Sequence, residues 1–225
     1  MTTATNQTSA FAAAFEAFMD GRGDGFPGDD RRAAFAKFAD AGLPTTRDEQ
    51  WRFTNIAPVA RTEFRLAEPP RNTPTQAQVS LAGVRGLDSI EIVFVNGTYA
   101  PALSSLKGLP DGVVVDSLAA AMESHPDLVR AELGRQVSAD AGAFQALNTA
   151  FLCDGAFVYV PRGVVVEQPL EMLFLTTGGD EPVATFPRNL VVVCENAHLT
   201  LLENYEGVGP ERSEEHTSEL QSLSH

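Results

Sequence analysis

Two thiols, two histidines and three carboxylates are the groups in this sequence whose types and spacing could do chemistry. Cys153 and Cys194 are its only cysteines. Thiolates hold metal centres when several converge, or when a histidine joins them. These two lie far apart in the chain with no local partner, and both read as small apolar core residues. His198 stands alone between Ala197 and Leu199 and reads as a surface or hydrogen-bonded core histidine, while His125, before Pro126, reads as a solvated turn. His216 and His225 belong to a polar tail. Glu167 and Glu171 have the even spacing that shares a strand face if no bulge intervenes, and Asp154 precedes them. Paired carboxylates at a defined separation hydrolyse glycosides. Pro169 falls between these two, however, and no aromatic sugar platform flanks them. A carbohydrate-active β-helix enzyme is therefore the weaker alternative, and no catalytic, cofactor-binding or metal-binding residue is assigned.

Two glycine-rich signals fail on context. Gly21-Arg22-Gly23-Asp24-Gly25 follows a helical pattern, whereas a dinucleotide loop needs a strand before it and a helix N-terminus after it. Read as a calcium loop from Asp20, the third position is Arg22 and the twelfth Arg31, where oxygen ligands are required. Both read as linker. No G-x-x-x-x-G-K-[ST] loop occurs, so this sequence does not cradle a nucleotide by that device.

Composition narrows the class. The 225 residues carry 30 acidic and 16 basic side chains, a formal charge of −14, with 44% apolar residues. That is globular rather than disordered. An acidic surplus of this size argues against nucleic acid as a partner, which needs a basic footprint. No apolar run approaches a membrane span, and Met1 to Ser9 lacks the zones of a signal peptide. Two cysteines without a CxxC fit a reducing cytoplasm.

The elements that must position these groups change character along the chain. Phe11, Phe15 and Phe18 recur at i, i+4 and i+7 and predict one helix face, with Ser9 as its cap and Gly21 as its end. Phe35 and Phe38 mark a second helix, starting at Asp29 or Asp30 and stopped by Gly42 and Pro44. Thr46-Arg47-Asp48-Glu49 has capping-box spacing. Pro69, Pro70 and Pro74 mark a boundary near 65–78. Ile90 to Val95, closed by Asn96-Gly97, reads as a strand and turn, and Val113 to Val115 as another strand. Residues 117–150 look helical, with Pro126 opening a new segment and Leu128, Ala131, Leu133 and Val137 as apolar positions. After Ala156 come short apolar runs: 157–160, 164–166, 170–175, 190–193 and 199–202. A shift of 33 residues lays Val158, Val160 and Gly163 over Val191, Val193 and Asn196. That suits two coils of a solenoid, although a sandwich or jelly roll gives a similar pattern.

Several segments, in order, resemble the SufB/SufD family of iron–sulfur cluster assembly proteins. They are Gly42-Leu43-Pro44-Thr45 with Glu49, Trp51, Arg52, Phe53 and Thr54; Val93 to Gly97; Leu147-Asn148 through Asp154-Gly155 to Pro161; Glu167-Gln168-Pro169-Leu170; and Glu195-Asn196-Ala197 with Leu201-Leu202-Glu203. The likeness covers residues 10–211, and its Trp51 segment is similar to the SufD branch rather than SufB. The resemblance implies a mainly β fold, with a small N-terminal α-helical region before the first coils of a right-handed parallel β-helix. It implies a non-catalytic scaffold that pairs with SufB through the β-helices. It implies that the ATPase SufC docks on a C-terminal helical segment, and that the cluster is handled by the intact complex. A SufB-like subunit carrying the nascent cluster is the nearest alternative.

After Glu211 the likeness stops. Residues 212–225 resemble a translated sequencing adapter and read as a non-native scar. The expected division is 1–65 helical region, 66–155 mixed α/β lead-in, 156–211 start of the β-helix core and 212–225 scar. The SufC-docking segment is expected to be missing from this sequence.

Overall fold

The computed structural model describes residues 2–20, 27–69, 73–135, 137–177 and 182–208. It is a mixed α/β structure rather than a mainly β one. Its helices are α1 (Thr2–Met19), α2 (Gly28–Ala41), α3 (Ala57–Arg61), α4 (Gln76–Ala82), α5 (Leu118–Ser124), α6 (Pro126–Glu132) and α7 (Ala143–Ala150). Its strands are β1 (Arg65–Leu66), β2 (Ile90–Val95), β3 (Thr98–Tyr99), β4 (Val114–Ser117), β5 (Ala156–Val160), β6 (Leu170–Thr177), β7 (Val183–Ala184), β8 (Leu190–Val193) and β9 (Leu201–Val208).

Two sheets face each other. One has the order β3-β2-β6-β9 and the other β4-β5-β8, while β1 and β7 form a separate parallel pair. Pairing of β2 with β6, β6 with β9, and β5 with β8 is parallel. Between the sheets lies a core of Ile90, Ile92, Phe94, Val158, Val160, Leu170, Met172 and Phe174. Strand β6 is buried on both faces, so it reads as a continuous apolar run rather than an alternation. Its odd-numbered side chains, Leu173 and Leu175, join Val79 and Ala82 of α4 on the outer face. The β5–β8 sheet packs its outer face, through Phe157 and Leu190, on Leu118, Ala121 and Val129 of α5 and α6.

The 33-residue shift is a strand register: Val158 pairs with Val191, Val160 with Val193, and Val165 bridges His198. The turns repeat too, with Gly163 at φ 74° and Asn196 at φ 58°. Glycine and asparagine are the residues that enter this left-handed region at least cost, so the same turn chemistry recurs at the same offset. Asn96 and Gly97 both have positive φ and close the β2–β3 hairpin as a two-residue turn should.

The aromatic face of α1 packs as its spacing predicts. Phe15 stacks on Phe35 of α2 with centroids 4.3 Å apart, and both rings approach Phe151 beyond α7. Arg31 is buried and donates from Nε and Nη2 to the Leu152 carbonyl, at 2.9 and 2.6 Å.

Local expectations needed correction in several places. Helix α1 begins before Ser9, which lies inside it, and Gly21 falls outside the described residues. No box forms at Thr46. Instead Thr45 donates its N–H and hydroxyl to the Asp48 carboxylate, at 2.6 and 3.1 Å, and a 3-10 turn follows over Glu49–Trp51. The true capping box is Thr75 with Gln78, opening α4. In α6 the fully buried side chain is Val129, while Val137 is 43% exposed. Residues 164–166 make only one bridge, and the last strand runs from Leu201 to Val208 rather than over 199–202. The proposed scar lies outside the described residues.

Candidate functional site

Among the described residues the metal-ligand residue types do not come together. Both cysteines are free thiols, Cys153 exposed and Cys194 partly buried. The core expectation therefore fails for Cys153: α7 ends at Ala150, Phe151 and Leu152 take the buried positions, and the next side chain turns outward. Cys194 follows β8 and meets the phenol of Tyr159, a hydrogen bond that pushes the Tyr159 pKa up. His198 is exposed, and its backbone ties to Val164 and Val166. His125 is also exposed, with its ring stacked on Phe157 at 5.8 Å. Among the described residues no three of His, Cys, Asp and Glu converge as a metal site. Cys153 is expected to react with a disulfide reagent such as Ellman's several-fold faster than Cys194, read from single-cysteine variants. Equal rates would mean that the two thiols are equally accessible.

The carboxylates separate in the same way. Glu167 is exposed, whereas Glu171 is 1% exposed in the middle of β6. Glu171 accepts from the Val84 N–H at 3.0 Å and the Ser89 hydroxyl at 3.4 Å, so it pins the loop after α4 to the sheet. Its register partner on β2 is Glu91, whose pKa is raised by burial and by the Glu171 charge. A raised acid pKa means the folded state holds the proton more tightly than the unfolded chain. This contribution to stability is complete below the ordinary value of 4.5 and is lost as pH rises through the folded value. Glu91→Gln is thus expected to raise Tm at pH 7 and to leave it nearly unchanged at pH 4. A rise of equal size at both pH values would refute a charge origin. Asp154 is 8% exposed and accepts from the N–H groups of Tyr99 (3.3 Å), Ala119 (3.1 Å) and Gly155 (2.8 Å). Its lone pairs go to backbone donors, which makes it an anchor between β3, α5 and β5.

What the chain does assemble is a strand surface. Phe94, Phe174 and Tyr205 stack in register across β2, β6 and β9, with centroids 5.0 and 4.8 Å apart. The column ends at Tyr205, which is 56% exposed on the last strand of its sheet. The Tyr205 hydroxyl donates to Glu203 at 2.5 Å, and the Asn189 amide donates to the same oxygen at 2.8 Å. Burial and the Glu203 carboxylate push the Tyr205 pKa up. Asn189 also accepts from the Ala156 N–H at 2.9 Å, so the cluster ties β9 back to β5. Sequence reasoning missed Tyr205 and Asn189. The signal was an aromatic 31 positions after Phe174, in phase with Leu170 and Leu201.

The described residues thus build parallel in-register strands with repeated turns beside an aromatic helical cluster. The chain belongs to the SufBD family: the family model for the SufBD protein N-terminal region matches residues 24–172. It is 28% identical over 195 residues to the iron–sulfur cluster assembly SufBD family protein slr0076 of Synechocystis sp., covering 84% of this chain and 41% of that protein. It is 30% identical to the iron–sulfur cluster assembly protein SufD of Bacillus subtilis over 168 residues, or 71% of this chain and 36% of that one. It is also 31% identical to SufB of the same organism over 130 residues, 58% of this chain and 26% of that one. The chain thus spans less than half the length of these curated relatives. No described helix is long and apolar enough to cross a membrane.

Proposed function

We propose that the chain is part of a SufD-type scaffold subunit, acting without catalysis of its own in cytoplasmic iron–sulfur cluster assembly. The observation that carries this reading is the span of the likeness: the SufD of Bacillus subtilis aligns over 71% of the chain, its SufB over 58%. The Trp51 segment supports the same branch. The parallel ladders, β5–β8 offset by 33 residues and β6–β9 by 31, are in this reading the first coils of a right-handed parallel β-helix. SufB pairs with that β-helix, SufC supplies ATP hydrolysis that this sequence has no phosphate loop to perform, and the nascent cluster is cargo of the assembled complex.

The test is co-expression of the chain with full-length SufB, SufC and SufD from the same source, followed by affinity capture through a tag on the chain. Stoichiometric SufB in the eluate is expected. Capture of a separate SufD but not SufB would instead support a SufB-like subunit. Capture of neither sinks the scaffold reading.

A further inference from the structure

We propose that the apolar cleft between α1, α7 and the segment 184–188 binds a small amphipathic carboxylate, an aliphatic or aromatic body with a single acid group, and that Arg188 is its anion partner. The cleft encloses about 460 Å³, within the ~300–1,000 Å³ usual for small-molecule sites. Its walls are rings and aliphatic chains: Phe11, Phe64, Phe144, Leu147 and Phe186. Two lining valines, Val59 and Val137, are 42% and 43% exposed. Large apolar side chains left open around an apolar hollow mark a surface that gains by being covered.

Among the described residues one charged side chain lines the cleft. Arg188 is half-buried, and burial draws its pKa below the usual arginine value. Its Nε donates to the Asn148 side-chain oxygen at 2.7 Å and its Nη2 to the Thr149 hydroxyl at 2.8 Å. Both acceptors are neutral. Both are themselves fixed, since Asn148 donates to the Pro187 carbonyl at 2.9 Å and Thr149 to the Gln145 carbonyl at 2.8 Å. Among the described residues no carboxylate pairs with Arg188 and its Nη1 makes no hydrogen bond. The half-buried guanidinium thus keeps a charge that its two neutral acceptors leave uncompensated. Here the fork is held rigid by neutral groups with one nitrogen to spare, which is preorganisation for an incoming anion. A chain with net charge −14 repels polyanions at long range, so a monoanion with a large apolar body fits better than a phosphate or nucleotide.

The experiment is calorimetric titration of the purified chain with dodecanoate, dodecanol and inorganic phosphate, each lipid kept below its micelle or solubility limit. Dodecanoate is expected to bind about 10–100-fold more tightly than dodecanol, the value of a hydrogen bond to a buried charge, and phosphate is not expected to bind. Arg188→Gln should bring dodecanoate down to the dodecanol level. Because that change also removes two hydrogen bonds that steady α7, Val137→Asp is the second variant. It sets a carboxylate beside an already exposed position, and should weaken dodecanoate more than dodecanol. Equal affinity for acid and alcohol, or no dodecanoate binding, overturns the proposal. So would a dimer that Val137→Asp dissolves and dodecanoate leaves intact, which would assign the cleft to a second copy of the chain.

Discussion

Phe151→Ala is expected to lower the unfolding free energy by about 3–5 kcal/mol, as truncation of a fully buried aromatic does. Phe151 is 2% exposed and sits where three helices meet. Its ring contacts Phe11, Phe15, Phe18 and Phe35, with centroids between 5.4 and 6.5 Å, and stacks on Phe186 at 4.8 Å. Alanine would forfeit those contacts and leave a hole that five rings on three segments, α1, α2 and the chain at Phe186, cannot all close. A domain holds only about 5–15 kcal/mol in total, so this one change removes a large share. Guanidinium unfolding followed by helical circular dichroism measures it. The comparison is Phe53→Ala, where the ring is 92% exposed and the expected change is within about 0.5 kcal/mol. If the two substitutions cost the same, the aromatic cluster does not hold the helices together.

The second large effect is expected at Asp154. Asp154→Ala removes the acceptor of the part-buried Tyr99 and Ala119 N–H groups, and leaves the buried Gly155 N–H without its 2.8 Å acceptor. Each such orphan costs about 1–3 kcal/mol, and a loss of roughly 3 kcal/mol or more is expected in total. The pH dependence follows from burial, the largest influence on this carboxyl, which holds its pKa above 3.8 despite the donors around it. The folded state therefore binds the proton more tightly than the unfolded chain. The favourable contribution is complete below pH 3.8 and is lost as pH rises through the folded value. Asparagine cannot titrate, so the advantage of the native chain over Asp154→Asn should narrow between pH 4 and pH 7 in paired melting curves. Widening over that range would mean that hydrogen bonding outweighs burial at this site.

Local patterns could be read from the sequence because their causes are local. The 3.6-residue recurrence of Phe11, Phe15 and Phe18, the Asn96-Gly97 turn and the Pro126 helix start each depend on a few neighbouring residues. The 33-residue offset was visible because β5 and β8 repeat both strand and turn chemistry. What escaped depends on distant partners. Nothing near Phe151 announces that Phe186 will lie on it. Nothing near Glu171 announces Val84 and Ser89, without which a glutamate in β6 would be misplaced. The cleft was invisible for the same reason: Phe11, Phe64, Phe144 and Arg188 share no local pattern. The separation of Glu167 from Glu171 turned on strand phase, since β6 begins only at Leu170.

The parallel pairing of β2 with β6 also sets a clock. Ile90 finds its neighbour at Leu170, 80 residues later in the chain. At roughly 5–20 residues per second of synthesis, β2 waits on the order of 4–16 s on the ribosome before its partner exists. During that interval the β3 hairpin covers one edge and α4 one face, through Val79 against Val93 and Val95. The other edge has no such cover until β6 is made, and the inner face carrying Ile90, Ile92 and Phe94 stays open until β5 and β6 are made. A nascent chain stalled in that window presents an apolar strand to whatever is nearest, and the Thr75–Gln78 cap that starts α4 gains a second value, as shelter for a strand that has to wait.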